Sequence, residues 1–162
     1  MTKLQGEQWI QAISENHLIL RVFSFFSSDQ MDCFLVPALA QRISKSSKKA
    51  VLELHNADVI RDIADADWMS SVCTQLILKQ QNGVINCGTG IQHTVLEIAE
   101  KLLTVLGRTD CVWREENSCD ENGLVADTTC LKNKLTHLPI FSLEESLRKF
   151  AVEISVNDPK DI

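Results

Sequence analysis

The chain has 162 residues, of which 44% are hydrophobic and 23% charged, with a formal net charge of −6. That length suffices for one domain with its own core, and the composition is that of a globular chain, which excludes long disorder. An acidic chain offers no basic field to a nucleic-acid backbone or an anionic membrane, no apolar run reaches the roughly 18 residues of a membrane span, and no signal-peptide pattern opens the chain. A cytoplasmic protein without nucleic-acid or membrane partners is expected.

In chain order, residues 3–15 place Leu4, Trp9, Ala12 and Ile13 near one helical face, with Gly6 a weak helix former among them. Leu18–Phe26 is an almost continuous apolar run broken by Arg21 and predicts a strand covered on both faces, as in the middle of a parallel sheet. Phe34, Leu35, Ala38, Leu39 and Ile43 recur at helical spacing, which predicts a helix over about 33–45 with Pro37 tolerated near its start. "AVLELH" reads as a short strand, Asp67 as the cap of a helix through Leu78, and "GVINCG" as a second buried strand. Thr94 and Glu97 form a capping-box pattern, followed by the apolar stripe Val95, Ile98, Leu102, Val105 and Leu106 and a stop at Gly107. Ser142 and Glu145 repeat that spacing ahead of a last helix with Leu143, Leu147, Phe150 and Ile154 inward. Strand and helix in alternation indicate an α/β fold with parallel pairing through right-handed crossovers. Two strands make a sheet too small to stand alone, so something should extend or cover it.

Several residue groups offer no site. Cys33, Cys73, Cys87, Cys111, Cys119 and Cys130 contain no C-x-x-C pair, and His17, His55, His93 and His137 have no ligand spacing, so no metal is expected. The lysines of "KSSKKA" read as a solvated loop, and Trp9 and Trp113 as packing residues. The pair Gly88 and Gly90 lacks the third glycine of a dinucleotide fingerprint and reads as a structural turn.

Six short motifs stand in a definite order: "LRVFS" at 20–24, "RDIADAD" at 61–67, "VINCGTG" at 84–90, "TVLEIA" at 94–99, "ADTTCLKNKL" at 126–135 and "FSLEESL" at 141–147. Together they resemble the C-terminal half of the extended short-chain dehydrogenase/reductase family, the NAD(P)-dependent nucleotide-sugar epimerases, dehydratases and reductases. The resemblance implies the C-terminal part of a Rossmann-like parallel sheet with a small substrate-binding subdomain, a single domain over 1–157 and a frayed tail over 158–162. It implies that Arg61 reaches the pyrophosphate of a nucleotide-sugar, where a guanidinium fork is a strong contact, in competition with ion pairs to Asp62, Asp65 or Asp67. "TKLQGE" resembles the end of the family's Y-x-x-(S/T)-K-x-x-(G/A)-E helix, so Lys3 takes the place of the lysine that holds the nicotinamide ribose and favours tyrosinate; it is the candidate catalytic and cofactor-binding residue. Asn117 stands where the family has a second phosphate-binding arginine, and Arg114 is the nearest cation that could substitute.

The departures are as specific. The chain contains no Tyr, Ser24 replaces the usual asparagine, Trp68 replaces an aspartate, and no G-x-x-G-x-x-G turn is present. A truncated or degenerate member is therefore expected, the parent activity being redox modification of a nucleotide-linked sugar, with NAD or NADP implied by the family but not bound by this chain alone. The alternative is a non-catalytic binding or interaction module. In the parent fold the Leu18–Phe26 strand pairs on one side with the "VINCG" strand and on the other with a strand of the N-terminal half. With that edge open, the chain is expected to self-associate through it, to bind the missing half or to fold loosely.

Overall fold

Backbone hydrogen bonding divides the chain into four short ladders rather than one sheet. The computed structural model describes residues 2–116 and 123–157. Its elements are α1 (Lys3–Ile13), β1 (Leu18–Val22), β2 (Ser24–Phe26), α2 (Leu35–Lys45), β3 (Val51–His55), β4 (Ile60–Arg61), β5 (Ile63–Asp65), α3 (Ala66–Leu78), β6 (Gly83–Cys87), β7 (His93–Thr94), α4 (Val95–Val105), β8 (Val112–Glu116), α5 (Thr129–Lys134) and α6 (Leu143–Asn157). β1 pairs with β6, β2 with β5 and β3 with β8, all parallel, while β4 and β7 pair antiparallel. The expected pairing of the "LILRV" and "VINCG" strands is present, with Leu18 opposite Gly83 and Val22 opposite Cys87.

The single strand expected over Leu18–Phe26 is divided. It breaks at Phe23, and the two pieces take different partners, β6 and then β5. An unbroken apolar run cannot reveal such a switch, because burial is continuous across it while the hydrogen-bonding partner changes. The cap of α3 also differs from expectation. Asp65, not Asp67, accepts the backbone N–H of Trp68 at 2.7 Å, and Asp67 sits in the first turn with its carboxylate on Lys149. Helix α4 starts as expected, Thr94 Oγ1 accepting the Glu97 N–H at 3.0 Å, but the Glu97 carboxylate lies 3.1 Å from His93 Nδ1 instead of closing the box. Ser142 Oγ accepts the Glu145 N–H at the start of α6, and Gly107 ends the α4 turn with a φ of 66°.

Two apolar clusters hold these ladders. The larger packs Ile43 of α2, Leu54 of β3, Ile98 and Leu102 of α4 and Leu147 of α6 against Phe26, whose ring meets Phe150 edge-on at 5.9 Å. The smaller places Trp68, Val72 and Leu76 of α3 with Leu131 of α5 against Ile85 of β6. Phe141 touches both, and Trp68 Nε1 donates to the Pro139 carbonyl at 2.9 Å. Trp113 packs as expected, beneath the guanidinium of Arg42 at 5.6 Å. Trp9 does not: it is 65% exposed, and α1 buries none of its residues. Among the described residues no helix is long and apolar enough to cross a membrane, and no group of His, Cys, Asp and Glu is placed to hold a metal ion.

Candidate functional site

The site is organised by a carboxylate. Asp62 is 1% exposed, and its oxygens accept from Thr89 N at 2.9 Å, Thr89 Oγ1 at 2.7 Å, Gly90 N at 2.9 Å and Ala126 N at 3.0 Å. One side chain thus ties β4 to the turn after β6 and to the strand-like segment 124–126. Its own N–H donates to the Leu124 carbonyl at 3.3 Å, and Arg61 bridges to Leu124 in parallel. Gly123 approaches so closely that an added Cβ would lie 2.0 Å from the Ile60 carbonyl oxygen. β4 is therefore held on one side by β7, with Arg61 opposite His93, and on the other by residues 123–126.

This arrangement decides what the glycine turn can do. At Gly88 a Cβ would lie 2.7 Å from both Ala126 Cβ and Asp62 Oδ2, and the N–H groups of Thr89 and Gly90 already serve Asp62. A phosphate-cradling turn needs its amides free and its glycine faces open. Here both are filled by protein, as the structural reading of Gly88 and Gly90 anticipated. The Gly88–Gly90 turn therefore offers no open cradle to a dinucleotide.

Arg61 directly precedes Asp62 and ends β4. The break at Phe23 turns Ser24 outward, and the first turn of α1, closed by a Thr2–Gln5 capping box, brings up Lys3. Lys3, Ser24 and Arg61 border one open cleft of about 470 Å³, with Val22, Phe25 and Phe34 among its apolar walls. Among the described residues that line it, Lys3 and Arg61 are the charged ones, and both are cations in a chain of net charge −6. Of the neighbouring carboxylates, Asp65 accepts from Trp68 N and Ser146 Oγ, and Asp67 pairs with Lys149. The other depressions are less suited. One beside Phe26, Asp65 and Lys149 holds about 40 Å³, and another of about 330 Å³ beside Trp68 is lined by Asp65, Asp67 and Glu145.

Two sequence candidates, Lys3 and Arg61, are thus brought together from opposite ends of a 58-residue separation, the difference 61 − 3. Arg114 is not with them. It stands on β8, its side chain 64% exposed and its Nη1 3.8 Å from Glu53 on β3. Asn117 lies outside the described residues. The residue that sequence reasoning undervalued is Asp62; its only signal was its place directly after Arg61 in "RDIADAD". Behind the turn, burial, with the neighbouring Cys73 thiol second, pushes the Cys87 thiol up to about 12, which leaves it a protonated core residue with no nucleophilic character at neutral pH.

No family model and no curated protein sequence matches the chain. Solved structures do. RMD from Pseudomonas aeruginosa complexed with NADPH superposes with a TM-score of 0.80 at 21% identity, covering 96% of this chain and 55% of that one. UDP-glucose 4-epimerase from Thermotoga maritima with UDP-glucose gives 0.78 at 22% identity, covering 96% and 52%. UDP-glucuronic acid 4-epimerase from Bacillus cereus, in complex with UDP-glucuronic acid and NAD, gives 0.78 at 20% identity, covering 96% and 51%. The α/β fold of this chain is therefore that of about half of each of these structures. The chain spans about half the length of each of these structures.

Proposed function

We propose that this chain is the substrate-side half of an NAD(P)-dependent nucleotide-sugar epimerase, dehydratase or reductase, and that its cleft takes the diphosphate of a nucleotide-linked sugar. The observation that carries the reading is the cleft's charge: among its described lining residues the ionic groups are Lys3 and Arg61, two cations from distant segments of a chain of net charge −6. A diphosphate is the part of such a ligand that two converging cations recognise, and the guanidinium offers it a bidentate fork. Ser24 and Gln30 on the cleft wall supply neutral hydrogen-bonding groups, and Phe25 and Phe34 supply apolar surface for a base or sugar face.

The same residues limit the chemistry. A hydride-transfer reaction needs a dinucleotide and a positioned proton donor. The amides of the Gly88–Gly90 turn already serve Asp62, and the 162 residues contain no Tyr. Within this chain Lys3 can hold or repel charge, but it has no tyrosine to activate. We therefore assign these residues binding, not turnover, and the non-catalytic alternative differs only in whether another polypeptide completes the reaction.

Titrating UDP-, GDP- and dTDP-sugars into the wild-type chain and into Arg61→Ala tests the assignment. Saturable binding of at least one class, weakened about 10-fold or more by Arg61→Ala, is expected, in line with loss of a charge-assisted contact worth about 1.5–3 kcal/mol. Equal affinity for both proteins removes Arg61 from the site, and no saturable binding by any class overturns the reading. Saturable NADH fluorescence enhancement by the same chain contradicts the limit placed on it.

A further inference from the structure

The turn from α3 into β6 requires a glycine, and the residue before that glycine makes the turn chemically reactive. The helix closes with Lys79 N donating to the Gln75 carbonyl at 3.0 Å and Gln80 N to the Ile77 carbonyl at 2.9 Å, and β6 then begins at Gly83. Gly83 has a φ of 93°, in the left-handed region that residues with a side chain rarely adopt. Nothing lies within 4 Å of the place its Cβ would take, so the backbone angle, not crowding, demands glycine here. The residue before it is Asn82, and Asn82 is exposed. Asparagine precedes glycine at one other place in the sequence, Asn122 before Gly123, and Asn122 lies outside the described residues.

In an Asn-Gly step the glycine nitrogen has no Cβ beside it and can attack the asparagine side-chain carbonyl carbon. The bond from the Gly83 nitrogen to Asn82 Cγ forms, the Cγ–Nδ2 bond breaks, and ammonia leaves with the amide proton, which closes a succinimide ring. Water then opens the ring. Cleavage between Cγ and the ring nitrogen gives aspartate; cleavage between the Asn82 main-chain carbonyl carbon and that nitrogen gives isoaspartate, and each product carries one more negative charge than asparagine. No oxidant or reductant is needed. The attacking nitrogen must give up its proton, and here that proton is held: Gly83 N–H donates to the His17 carbonyl at 2.6 Å, where Leu18 stands opposite Gly83 at the first rung of the β1–β6 ladder. The reaction is therefore closed while β1 lies on β6 and open when that rung parts, which is a local opening rather than global unfolding.

We propose that Asn82 is a modification site, deamidating spontaneously to isoaspartate at a rate set by opening of the β1–β6 ladder. The product acts as a one-way latch. Isoaspartate carries the main chain through its side-chain carbon and so lengthens it by one atom just ahead of Gly83. With Val84 still opposite Ile19 and Cys87 still opposite Val22, the Gly83 N–H no longer meets the His17 carbonyl, and the first rung stays parted. The new α-carboxylate at residue 82 is the group that a protein isoaspartyl carboxyl methyltransferase accepts, and its exposure leaves it within reach of such an enzyme. The inference stands apart from the nucleotide-sugar reading, since it involves no ligand of the cleft.

Peptide mapping by mass spectrometry after incubation at mildly alkaline pH tests it, in an Asn122→Gln background so that Asn82 reports alone. The peptide holding residue 82 is expected to gain the mass of an amide exchanged for a carboxyl group, about 10-fold or more slowly in the folded chain than in concentrated urea. Methyl transfer to that peptide by a protein isoaspartyl methyltransferase identifies the isoaspartate. Ile19→Ala removes buried apolar atoms from β1 and should speed the reaction of the folded chain about 10-fold while leaving the rate in urea unchanged. Asn82→Gln should abolish the mass gain. Where Ile19→Ala does not fold, the comparison of folded and urea-unfolded parent chains decides alone. Equal rates in the folded and unfolded chain overturn the proposal, and so does an Asn82 that stays unmodified in urea, a product that accepts no methyl group, a mass gain that persists in Asn82→Gln, or a folded Ile19→Ala chain that reacts at the parent rate.

Discussion

The surroundings of Asp62 and the α1–β1 edge meet the same demand, the pairing of backbone N–H groups, in opposite ways. Around Asp62 a buried carboxylate satisfies Thr89 N, Gly90 N and Ala126 N from segments distant in sequence, and glycines let the chains close up on it. At the β1 edge the alternate N–H groups have no strand among the described residues, and α1 buries no side chain. The difference teaches where this fold is self-sufficient. The turn, β4 and segment 123–126 lock each other in place within one chain, whereas α1 rests on the outside of the fold and β1 has a strand on one edge only among the described residues.

The largest effect should come from breaking the satisfied side. Asp62→Ala leaves several buried donors without an acceptor and is expected to cost about 3–5 kcal/mol, read from the urea-unfolding midpoint. Asp62→Asn keeps one acceptor but turns an N–H₂ toward N–H groups, so about half that loss is expected. A cost below about 1 kcal/mol for Asp62→Ala would show that the knot is not what holds the turn.

Next in size is one substitution made in both regions. Gly88→Ala puts a methyl 2.7 Å from Ala126 Cβ and Asp62 Oδ2 and should destabilise by about 1–3 kcal/mol. Gly6→Ala meets nothing within 4 Å and gains helix propensity, so in dilute solution it should stabilise α1 by up to about 1 kcal/mol, measured by helical circular dichroism or amide exchange. The same sign at both positions would erase the contrast.

The smallest effect is electrostatic. The hydrogen bond from Arg21, reinforced by its charge, holds the Glu7 carboxyl below the ordinary glutamate value. A group whose folded value is depressed contributes stability that is present above the unfolded value and lost as the pH falls through the folded one. The α1 amides should therefore lose protection as pH drops through and below the ordinary carboxylate range, and not above it. Because the pair is open to solvent, raising the salt should blunt the change. An α1 exchange pattern insensitive to pH in that range would mean that the helix is held by something other than Glu7.

What the sequence determined by itself were the elements whose signals are local. The apolar stripe and cap of α4, the Ser142-capped α6 and the buried strands around Ile19 and Ile85 follow from periodicity and short-range hydrogen bonding, which the chain order specifies directly. The ordered motifs from "LRVFS" to "FSLEESL" likewise pointed to the α/β half-fold, because several weak patterns in one order constrain more than any one of them. Tertiary structure alone decided the rest. The split at Phe23, the choice of Asp65 over Asp67 as a cap and the pairing of β3 with β8 depend on which distant backbone lies alongside. The meeting of Lys3 with Arg61, the absence of Arg114 from their cleft and the burial of Asp62 are also three-dimensional facts. A carboxylate that accepts from two distant segments reads in one dimension like any other acid in "RDIADAD"; only the donors folded around it give it its role.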